Sequence, residues 1–566
     1  MVVSPWRVVP YRRPVLGMLV AAVSLGWSGV VLSAPPVLSH LFPAGGQRGA
    51  KVIVTSAGDF AWPVGAWASG LEIAPTADSG KVEITIPADL PADRIWIRLF
   101  NAEGASATVP FLIGSLPELE EREPNNSPRT AQALPSPQVT INGVLLDGDL
   151  DGYAVKLEAG QTLVAAVDAN TRLGSPIDAI LQIASADGTV LAENHDDFQL
   201  DPRLAYTATR PGTYIVRLFA FPSTPGTKIA LHGAANCVYR LTLTTGRYIT
   251  HALPLAVPKS EPGTVEVRGW NIPPGTRLPV ASLEARPGTV PEFEAQSDLR
   301  ISPDARPGLA FAGDFAGAAR VRLMPDPIKS LLAPGDSAGP LSLPTCLTGW
   351  FQKAGQSDVH RLPLQKGQTL IATVESQTLG LALDPLVQLA DPAGAVVAEI
   401  DDTGAMRDPV VVHRATQDGE YRLTIRDRYR QGGERCCYLL TVRLEEPDFE
   451  LSAAVDAIVV TAGKPTEIPI KVQRRTPPEG TVGPITIEAV GLPAGVEAAA
   501  VVSEPTGPTA TDVKLTLTAS GPAYSGPFRI VGKASQPRAL ERSVRTPAKL
   551  GASLETIWLT VIVPNP

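Results

Sequence analysis

An internal repeat constrains the fold of this chain more than any other feature, because the same residues at the same spacing are hard to obtain by chance. Segment 151–183 aligns with segment 358–389 with a gap of one residue, and both contain Gly-Gln-Thr-Leu, beginning at Gly160 and Gly367. Further matches are Asp201-Pro202 with Asp408-Pro409, Gly212-Thr213-Tyr214 with Gly419-Glu420-Tyr421, and Cys237-Val238-Tyr239 with Cys436-Cys437-Tyr438. The repeat therefore extends over a whole domain.

The composition favours β structure. Proline (55) and glycine (50) are abundant whereas methionine (4) is scarce, which suits short strands and turns better than long helices. Runs such as 82–86, 95–99 and 515–518 alternate apolar and polar side chains, the period-two pattern of half-buried strands. Because 566 residues with 44% hydrophobic content exceed what one core needs, several domains are expected. The sequence predicts an all-β chain that forms a tandem array of β-sandwich domains.

The charge of the chain argues against nucleic-acid binding. Charged residues make up 19% of the sequence and the formal net charge is −8, and no segment is rich in lysine and arginine. A nucleic-acid backbone needs a basic surface. The sequence therefore predicts no nucleic-acid partner.

The N-terminus has the pattern of an export signal. Arginines precede an apolar stretch at 15–32, and small residues with a pair of prolines follow, which is the order of regions in a secretory signal peptide. We expect residues 1–34 to direct export, with cleavage after Ser33, and the protein to be secreted, periplasmic or at the cell surface. The alternative is an uncleaved anchor, since about 18 apolar residues can span a bilayer. Contact with a membrane would then occur only through this segment.

The four cysteines are compatible with an oxidising compartment but too few to define a disulfide scaffold, and none has the C-x-x-C spacing of zinc or redox sites. They are Cys237, Cys346, Cys436 and Cys437. If a disulfide forms, we expect Cys346 to pair with Cys436 or Cys437, because a disulfide between adjacent residues would be strained. Free buried thiols are the alternative.

Residues 120–246 resemble the bacterial pre-peptidase C-terminal domain. The segment opens with Glu-Arg-Glu-Pro-Asn-Asn at 121–126, continues with Asp-x-Asp-x-Tyr at 149–153 and the Gly-Gln-Thr-Leu turn, and closes with Pro-Gly-Thr-Tyr at 211–214. The second copy, residues 338–446, resembles the same family but lacks the opening motif. The resemblance implies a jelly-roll-like β-sandwich found on secreted proteases, collagenases and cell-surface proteins. Such a domain aids secretion, stability or binding and is not the catalytic part.

Three further modules are expected around the two copies. Residues 41–55 resemble the first hairpin of an immunoglobulin-like module of the IPT/TIG type, so we assign 36–115 to such a sandwich. Residues 250–335 are rich in proline and predict a small β domain or linker. Residues 448–566 predict a C-terminal immunoglobulin-like domain. We expect the modules to follow one another in a row and to form a stiff scaffold.

An acidic segment of the first copy predicts a calcium site. Calcium takes six to eight oxygen ligands, which carboxylates and amide carbonyls on two neighbouring loops can supply. The candidate ligands are Glu121, Glu123, Asn125, Asn126, Asp147, Asp149 and Asp151. The family resemblance implies the same site, since collagen-binding members hold calcium with the opening motif and downstream aspartates. The alternative is a solvated turn in which Asn side chains cap the backbone. The second copy has Lys353 where Asp147 would fall, so we expect no calcium there.

The same stretch, from Asp147 to Glu158, also satisfies the formal EF-hand pattern. An EF-hand loop is flanked by helices. Residues 153–157, however, alternate as a strand, and residues 159–161 form a hairpin turn. We therefore predict no EF-hand.

The sequence contains no catalytic motif of the metalloprotease, serine-hydrolase, P-loop or dinucleotide-binding kinds. The histidines are scattered. His195-Asp196-Asp197 has the composition of a base with carboxylates, but it aligns with Asp401-Asp402-Thr403 in the second copy, which favours a polar turn. The sequence predicts a protein without enzymatic activity.

The aromatic residues of the first copy allow two interpretations. They can form a strip that binds collagen or sugar, because rings offer large contact area at little entropic cost. The candidates are Tyr153, Tyr206, Tyr214, Phe219, Phe221 and Tyr239. Tyr214 and Tyr239 recur as Tyr421 and Tyr438, which favours positions in the core.

These patterns together predict an exported, non-catalytic, multi-domain binding or cell-surface scaffold protein. Its partner would be an extracellular protein or polysaccharide, and its possible cofactor calcium. The alternative is an accessory component of an extracellular protease or hydrolase system.

Overall fold

The structure is a computed structural model that is nearly all β, which confirms the predicted fold class. The residues that it describes are 34–224, 226, 230–282, 294–296, 306–325, 330–332, 335–337, 339–403, 407–477 and 480–564. The predicted signal segment, except Ala34, lies outside the described residues. The chain from Ala34 to Pro566 forms one compact unit. Among the described residues, no helix has the length and apolarity needed to cross a membrane.

The first module is a sandwich of two sheets. Its strands are β1 (Val37–Phe42), β2 (Gly45–Gln47), β3 (Lys51–Asp59), β4 (Gly65–Ala68), β5 (Glu72–Pro75), β6 (Lys81–Thr85), β7 (Arg94–Asn101), β8 (Gly104–Ala105) and β9 (Val109–Gly114). One sheet has the order β1-β3-β6-β5, and the other has the order β2-β9-β7-β4, with β8 paired to β7. The alternating runs at 82–86 and 95–99 lie on β6 and β7, where the predicted strands are confirmed.

The second module contains the first copy of the repeat. Its elements are β10 (Glu118–Glu120), β11 (Gln132–Ala133), β12 (Val139–Val144), β13 (Asp151–Leu157), β14 (Thr162–Asp168), the helical turn α1 (Asn170–Leu173), β15 (Ile177–Ser185), β16 (Val190–Asn194), β17 (Arg203–Thr207), β18 (Gly212–Pro222) and β19 (Val238–Thr244). The sheets have the orders β10-β12-β19-β14-β17 and β11-β13-β18-β15-β16. Their inner faces enclose a single apolar core.

The third module is built on one seven-stranded sheet. Its strands are β20 (Tyr248–Leu253), β21 (Ala256–Pro258), β22 (Thr264–Trp270), β23 (Arg277–Ser282), β24 (Glu294–Gln296), β25 (Arg306–Ala310), β26 (Ala316–Gly317) and β27 (Ala319–Met324). The order is β21-β27-β25-β23-β22-β20-β26. Strand β24 is not part of this sheet.

The fourth module contains the second copy. Its elements are β28 (Ser330–Leu332), β29 (Thr345–Trp350), β30 (Ser357–Leu364), β31 (Thr369–Glu375), a 3₁₀ turn (Gln377–Leu379), β32 (Pro385–Ala390), β33 (Val396–Ile400), β34 (Val410–Arg414), β35 (Gly419–Asp427) and β36 (Cys437–Leu444). The orders β28-β29-β36-β31-β34 and β30-β35-β32-β33 repeat those of the second module, except for β11. The sequence repeat is thus also a structural repeat.

The fifth module completes the described chain. Its strands are β37 (Asp448–Ala453), β38 (Ala457–Thr461), β39 (Thr466–Arg475), β40 (Ile485–Val490), β41 (Val496–Ala498), β42 (Val501–Ser503), β43 (Asp512–Ala519), β44 (Tyr524–Ala534), β45 (Leu540–Arg545), β46 (Ala552–Leu554) and β47 (Ile557–Ile562). On β43, Leu515 and Leu517 are buried while Lys514 and Thr518 are exposed, because successive side chains of a strand point to opposite faces. Strand β46 pairs with β24 of the third module.

The modules do not follow one another in an extended row, because the first and fifth modules are in contact. Arg98 on β7 donates to the Asp456 carboxylate with Nη2 and Oδ2 3.0 Å apart, and its side chain is only 3% exposed. The ring of Trp558 on β47 packs edge-on against Trp67, with centroids 5.6 Å apart. The tandem array is therefore folded back so that its first and fifth modules meet.

All four cysteines are free and buried. On the paired strands β29 and β36, Cys346 lies opposite Thr441 and Trp350 lies opposite Cys437. Four residues along the ladder correspond to about 13 Å at the rise of a strand, beyond the reach of a disulfide. The expected pairing of Cys346 with Cys436 or Cys437 is wrong because the strand register separates them, and the alternative of free thiols is confirmed.

Candidate metal centre

The predicted metal ligands lie at one end of the second module, where two segments meet. Strand β10 runs parallel to β12, with Glu120 opposite Asn142, and the backbone N–H of Glu121 donates to the Asn142 carbonyl at 3.0 Å. This pairing holds the opening motif against the module. Asp151 is the first residue of β13, and the turn before it contains Asp147 and Asp149. Sheet pairing therefore brings residues that are distant in sequence to one place.

Three of the seven predicted ligands form a compact carboxylate cluster. One oxygen each of Glu123, Asp149 and Asp151 lies within 4.8 Å of the others. Glu123 is exposed, whereas Asp149 and Asp151 are buried. Carboxylates at this separation repel one another unless a proton or a cation compensates their charge. The cluster can hold a metal ion.

The structure places the Asn residues and Asp147 around this cluster. Asn125 is fully buried, and its side-chain oxygen accepts a hydrogen bond from the Gly152 N–H at 3.4 Å. Its own N–H donates to Glu123 Oε2 at 2.9 Å and to Asn126 Oδ1 at 3.2 Å. Asp147 is exposed on the turn and lies outside the group of three carboxylates. The Asn125 oxygen is thus used by the Gly152 N–H, whereas its buried side-chain nitrogen has no partner that meets hydrogen-bond geometry among the described residues, and a hydrogen bond from this side chain lowers the pKa of Asp151.

A tyrosine network beneath the cluster was missed at the level of sequence. The Tyr239 hydroxyl lies 2.5 Å from Asp151 Oδ2 and 3.0 Å from Glu121 Oε2, and it contacts the Tyr153 hydroxyl. The Tyr239 hydroxyl has one proton to donate, so it can donate to only one of the two carboxylates. The contact with the other carboxylate needs a further proton or a cation to offset the negative charge. Burial, followed by the charge of Glu121, raises the pKa of Asp151 to about 8, and burial also raises the pKa of Glu121.

The fourth module shows the same corner without the acidic motif. Asp358 takes the place of Asp151, and Tyr438 donates to its Oδ2 at 2.6 Å. Its Oδ1 accepts a hydrogen bond from Gln356 Nε2 at 3.4 Å. Gln356 stands where the second module has Asp149, two residues before the shared aspartate. The pairing of tyrosine and aspartate is therefore common to both copies.

The same alignment gives Ala354 the place of Asp147, so the predicted match of Lys353 with Asp147 is wrong by one residue. The two turns correspond, since the Asp149 N–H donates to the Leu146 carbonyl and the Gln356 N–H donates to the Lys353 carbonyl.

One buried oxygen distinguishes the two corners. In the second module, Asp151 Oδ1 is buried and no described residue meets hydrogen-bond geometry with it, although the Asn125 side-chain amide lies close enough to lower the pKa of Asp151. Its counterpart on Asp358 is satisfied by the Gln356 amide. A buried acceptor without a partner costs roughly 1–3 kcal/mol. Where the fourth module has the Gln356 amide, the second module has the Asp149 carboxylate. This position therefore lacks a hydrogen-bond donor and has a potential metal ligand instead.

No protein-family model and no curated protein matches the chain. Among solved structures, the pre-peptidase C-terminal domain of collagenase from Bacillus anthracis is 13% identical, with 21% of this chain and 97% of that chain covered and a TM-score of 0.15. PliG of Aeromonas hydrophila, a periplasmic inhibitor of g-type lysozyme, is 11% identical, covering 21% and 100%, with a TM-score of 0.15. SGBP-B of Bacteroides ovatus, from a mixed-linkage glucan utilization locus, is 11% identical, covering 71% and 72%, with a TM-score of 0.13. Bacterial extracellular domains are thus among the neighbours, at values that carry no argument about function.

The formal EF-hand pattern does not form an EF-hand. Residues Asp151–Leu157 are the strand β13, and the strand pairs along its whole length with β18. The calcium loop of an EF-hand needs a helix on each side. The prediction that the pattern is coincidental is confirmed.

The turn at His195 does not assemble a base with carboxylates. His195 Nδ1 lies 3.2 Å from Asp196 Oδ2, and both side chains are more than half exposed. The Asp197 carboxylate is held instead by Arg203 and Arg435. The interpretation as a polar turn is confirmed for His195 and Asp196, whereas Asp197 forms ion pairs.

The predicted aromatic strip is not formed on one sheet face. Tyr153 and Tyr239 are fully buried, and Tyr214 is 7% exposed. Tyr206, Phe219 and Phe221 are half-buried. The alternative, that the recurring tyrosines belong to the core, is confirmed.

Proposed function

We propose that this chain is an exported, non-catalytic binding or scaffold protein, and that its second module holds a calcium ion at the carboxylate cluster. Glu123, Asp149 and Asp151 supply the carboxylate oxygens of this site. The observation that carries the proposal is Asp151 Oδ1, a buried acceptor that lacks the donor present in the fourth module. A cation beside Asp151 Oδ1 would take the place of this donor and offset the negative charge of the three carboxylates.

The chemistry of the donor set favours calcium over other common ions. All the candidate donors are oxygens, which hard cations prefer, whereas zinc prefers sulfur and nitrogen ligands. Calcium also accepts irregular coordination and completes its shell with water. The exposure of Glu123 leaves one side of the cluster open to water. Magnesium, in contrast, demands near-ideal octahedral geometry.

The protein's own residues have separate tasks in this proposal. Tyr239 orients Asp151 through the hydrogen bond that the fourth module also has. Glu121 accepts the Val144 N–H at 2.9 Å and so anchors the opening motif to β12. Bound calcium would stabilise the folded second module, because an ion that binds only the native state stabilises it by mass action.

The non-catalytic part of the proposal is supported by the sequence and by the site. The sequence lacks the usual catalytic motifs, and the best histidine candidate, His195, is exposed on a polar turn. A multi-module protein of this kind would act by binding an extracellular protein or polysaccharide. Hydrolysis of casein or of a model ester by the purified chain would contradict this part.

Calcium titration by isothermal calorimetry tests the ion site. We expect one site in the chain from Ala34 to Pro566, and loss of it in Asp149→Gln, which reproduces the residue found in the fourth module. Asp147→Asn is the matched control, since Asp147 is exposed outside the cluster, and it should retain binding within about threefold. Absence of calcium binding in the unmodified chain, or equal loss in both variants, would overturn the assignment.

A further inference from the structure

A cavity of about 150 Å³ lies at the junction of the first four modules, remote from the carboxylate cluster. It is bounded by Leu112 of the first module, Thr242 of the second, Thr250 of the third and Leu379 of the fourth. Five arginines line it: Arg48, Arg172, Arg203, Arg240 and Arg320. Four aspartates also line it: Asp93, Asp168, Asp197 and Asp201. Nothing in the proposed calcium site accounts for this concentration of arginine.

Positive charge is concentrated around Asp93. Four guanidinium groups act on its carboxylate: Arg172, Arg320, Arg94 and Arg48. Burial by itself would raise the pKa of Asp93, but these cations outweigh burial and lower it to about 2. Asp93 therefore stays ionised, and one negative charge faces several positive ones.

Arg172 does not use all of its donors. Nη2 donates to Asp93 Oδ2 at 2.7 Å, and Nη1 donates to Asp168 Oδ1 at 3.3 Å. Its Nε is buried and has no hydrogen-bond partner among the described residues. A buried donor next to a cavity points to an acceptor that the protein itself does not provide.

Among the described residues Arg48 forms no hydrogen bond with a carboxylate, although the charge of Asp93 acts on it and its guanidinium lies over the Phe311 ring, 4.3 Å from the centroid. Arg48 donates from Nε to the Leu90 carbonyl and from Nη2 to the Ala92 carbonyl, both at 3.0 Å. Burial is the largest cause and lowers the pKa of Arg48, the Asp93 carboxylate raises it, and Arg172 lowers it further. Arg48 is thus a buried cation whose charge is offset only in part by Asp93, which Arg172 also binds.

The four aspartates do not fully neutralise the positive charge of the five arginines that line the cavity. Asp201 already accepts hydrogen bonds from the backbone N–H groups of Ala169, Asn170 and Thr171 at 2.7–3.2 Å. Burial raises its pKa to about 7, so it carries less than a full charge near neutral pH. The lining is thus net positive in a chain whose formal net charge is −8.

We infer that this junction cavity binds a small oxyanion, of the phosphate or sulfate class, between Arg48 and Arg172. Guanidinium groups bind oxyanions with paired, charge-assisted hydrogen bonds. A ligand at this position would contact side chains of two modules at once, Arg48 from the first and Arg172 from the second. The oxyanion would therefore fix the arrangement of the modules as well as fill the cavity.

Calorimetric titration with phosphate tests this inference on the chain from Ala34 to Pro566, with sodium chloride at matched ionic strength as the reference. We expect saturable phosphate binding and a saturating rise in Tm, neither of which chloride produces. Phosphate stabilises many proteins by exclusion from their surface, so a Tm rise that does not saturate, without binding heat, would overturn the inference. Sulfate should compete with phosphate.

Variants distinguish phosphate binding in the cavity from general effects of salt on the protein. Arg48→Gln removes the cation but keeps a donor for the Leu90 carbonyl, and it should weaken phosphate binding at least tenfold. Arg247→Gln is the control, because Arg247 forms an exposed pair with Asp314 and should bind phosphate as the unmodified chain does. Equal binding by Arg48→Gln and the unmodified chain would overturn the inference.

A second variant keeps the test decisive if Arg48→Gln does not fold. Ala318 lines the cavity, and Ala318→Asp adds a carboxylate where the oxyanion would compensate charge. Phosphate binding should then fall at least tenfold, while the Tm without phosphate should not decrease. Undiminished binding by Ala318→Asp would contradict the site.

Discussion

Arg435 of the fourth module and Asp197 of the second are in direct contact, Nη1 to Oδ1 at 2.5 Å, although 238 positions separate them in the chain. Asp197 also accepts from Arg203 at 2.6 Å, so one carboxylate links two guanidinium groups. All three side chains are less than a fifth exposed. Each copy of the repeat thus contributes to one ionic contact between the copies.

Replacement of Asp197 should destabilise the protein strongly. Asp197→Asn leaves Arg203 and Arg435 without their carboxylate, and breaking a buried pair on one side costs roughly 3–5 kcal/mol. Chemical denaturation measures the loss. Asp196→Asn, at the exposed neighbouring position, should change the free energy of unfolding by less than about 0.5 kcal/mol. Equal effects of the two changes would show that the contact contributes nothing.

Asp408 should be as important to the fourth module as its counterpart Asp201 is to the second. Its carboxylate accepts from the N–H groups of Ser376, Gln377 and Thr378 at 2.8–3.0 Å and so begins the 3₁₀ turn. Asp408→Ala leaves these donors unsatisfied and should cost about 2 kcal/mol or more, measured by thermal or chemical unfolding. Asp402→Ala, at a half-exposed position, is the control. If Asp408→Ala left the stability unchanged, water would have to satisfy these three N–H groups in place of the carboxylate.

The stability of the protein should depend on the ionisation of Asp201. Burial raises its pKa in the folded state to about 7, above about 3.9 in the unfolded chain, so the folded state binds the proton more tightly. Its contribution is therefore greatest below about pH 4 and is lost as pH rises to about 7. The unmodified chain should lose more stability between pH 5 and pH 8 than Asp201→Asn does, by a few kcal/mol at most. Parallel pH profiles of unfolding free energy would contradict this.

The glycines beneath the two core tyrosines should not tolerate a side chain. A Cβ on Gly143 would lie 2.2 Å from the Tyr239 ring, and one on Gly349 would lie 2.1 Å from the Tyr438 ring. Each Gly→Ala change should cost about 1–3 kcal/mol through overpacking, and Gly143→Ala should also weaken calcium binding. Gly212→Ala is the control, since nothing lies within 4 Å of its Cβ position. Unfolding curves for the three variants decide the matter.

Strand positions could be predicted from the sequence because the direction of successive side chains is a local property. The runs on β6, β7 and β43 are examples. Recurrence also identified Tyr239, Tyr438, Asp201 and Asp408, but it did not reveal their partners. The carboxylate of Asp201 acts on backbone about 30 residues earlier, and no periodic pattern encodes such a distance. Recurrence in the sequence therefore identifies these residues, whereas their hydrogen-bond partners follow only from the fold.

The sequence predicted the candidate site only in part, because the partners of a residue depend on the fold. Glu123, Asp149 and Asp151 come together because strand pairing places the opening motif beside the turn before β13. Asp147 belongs to the same turn but points to solvent. The role of Tyr239 could have been suspected from its recurrence, whereas the contact of Arg435 with Asp197 depends on the packing of two modules and has no sequence signal.

The contact between the first and fifth modules has a consequence for synthesis. Asp456 follows Arg98 by 358 positions, and a ribosome makes the chain from its N-terminus at about 5–20 residues per second. The first module can therefore fold well before its partner exists, with Trp67 and Arg98 still uncovered. During that interval this aromatic surface is available to other nascent chains, and exposed apolar surface of this kind promotes aggregation. The yield of folded protein should depend on how soon the fifth module arrives to cover it.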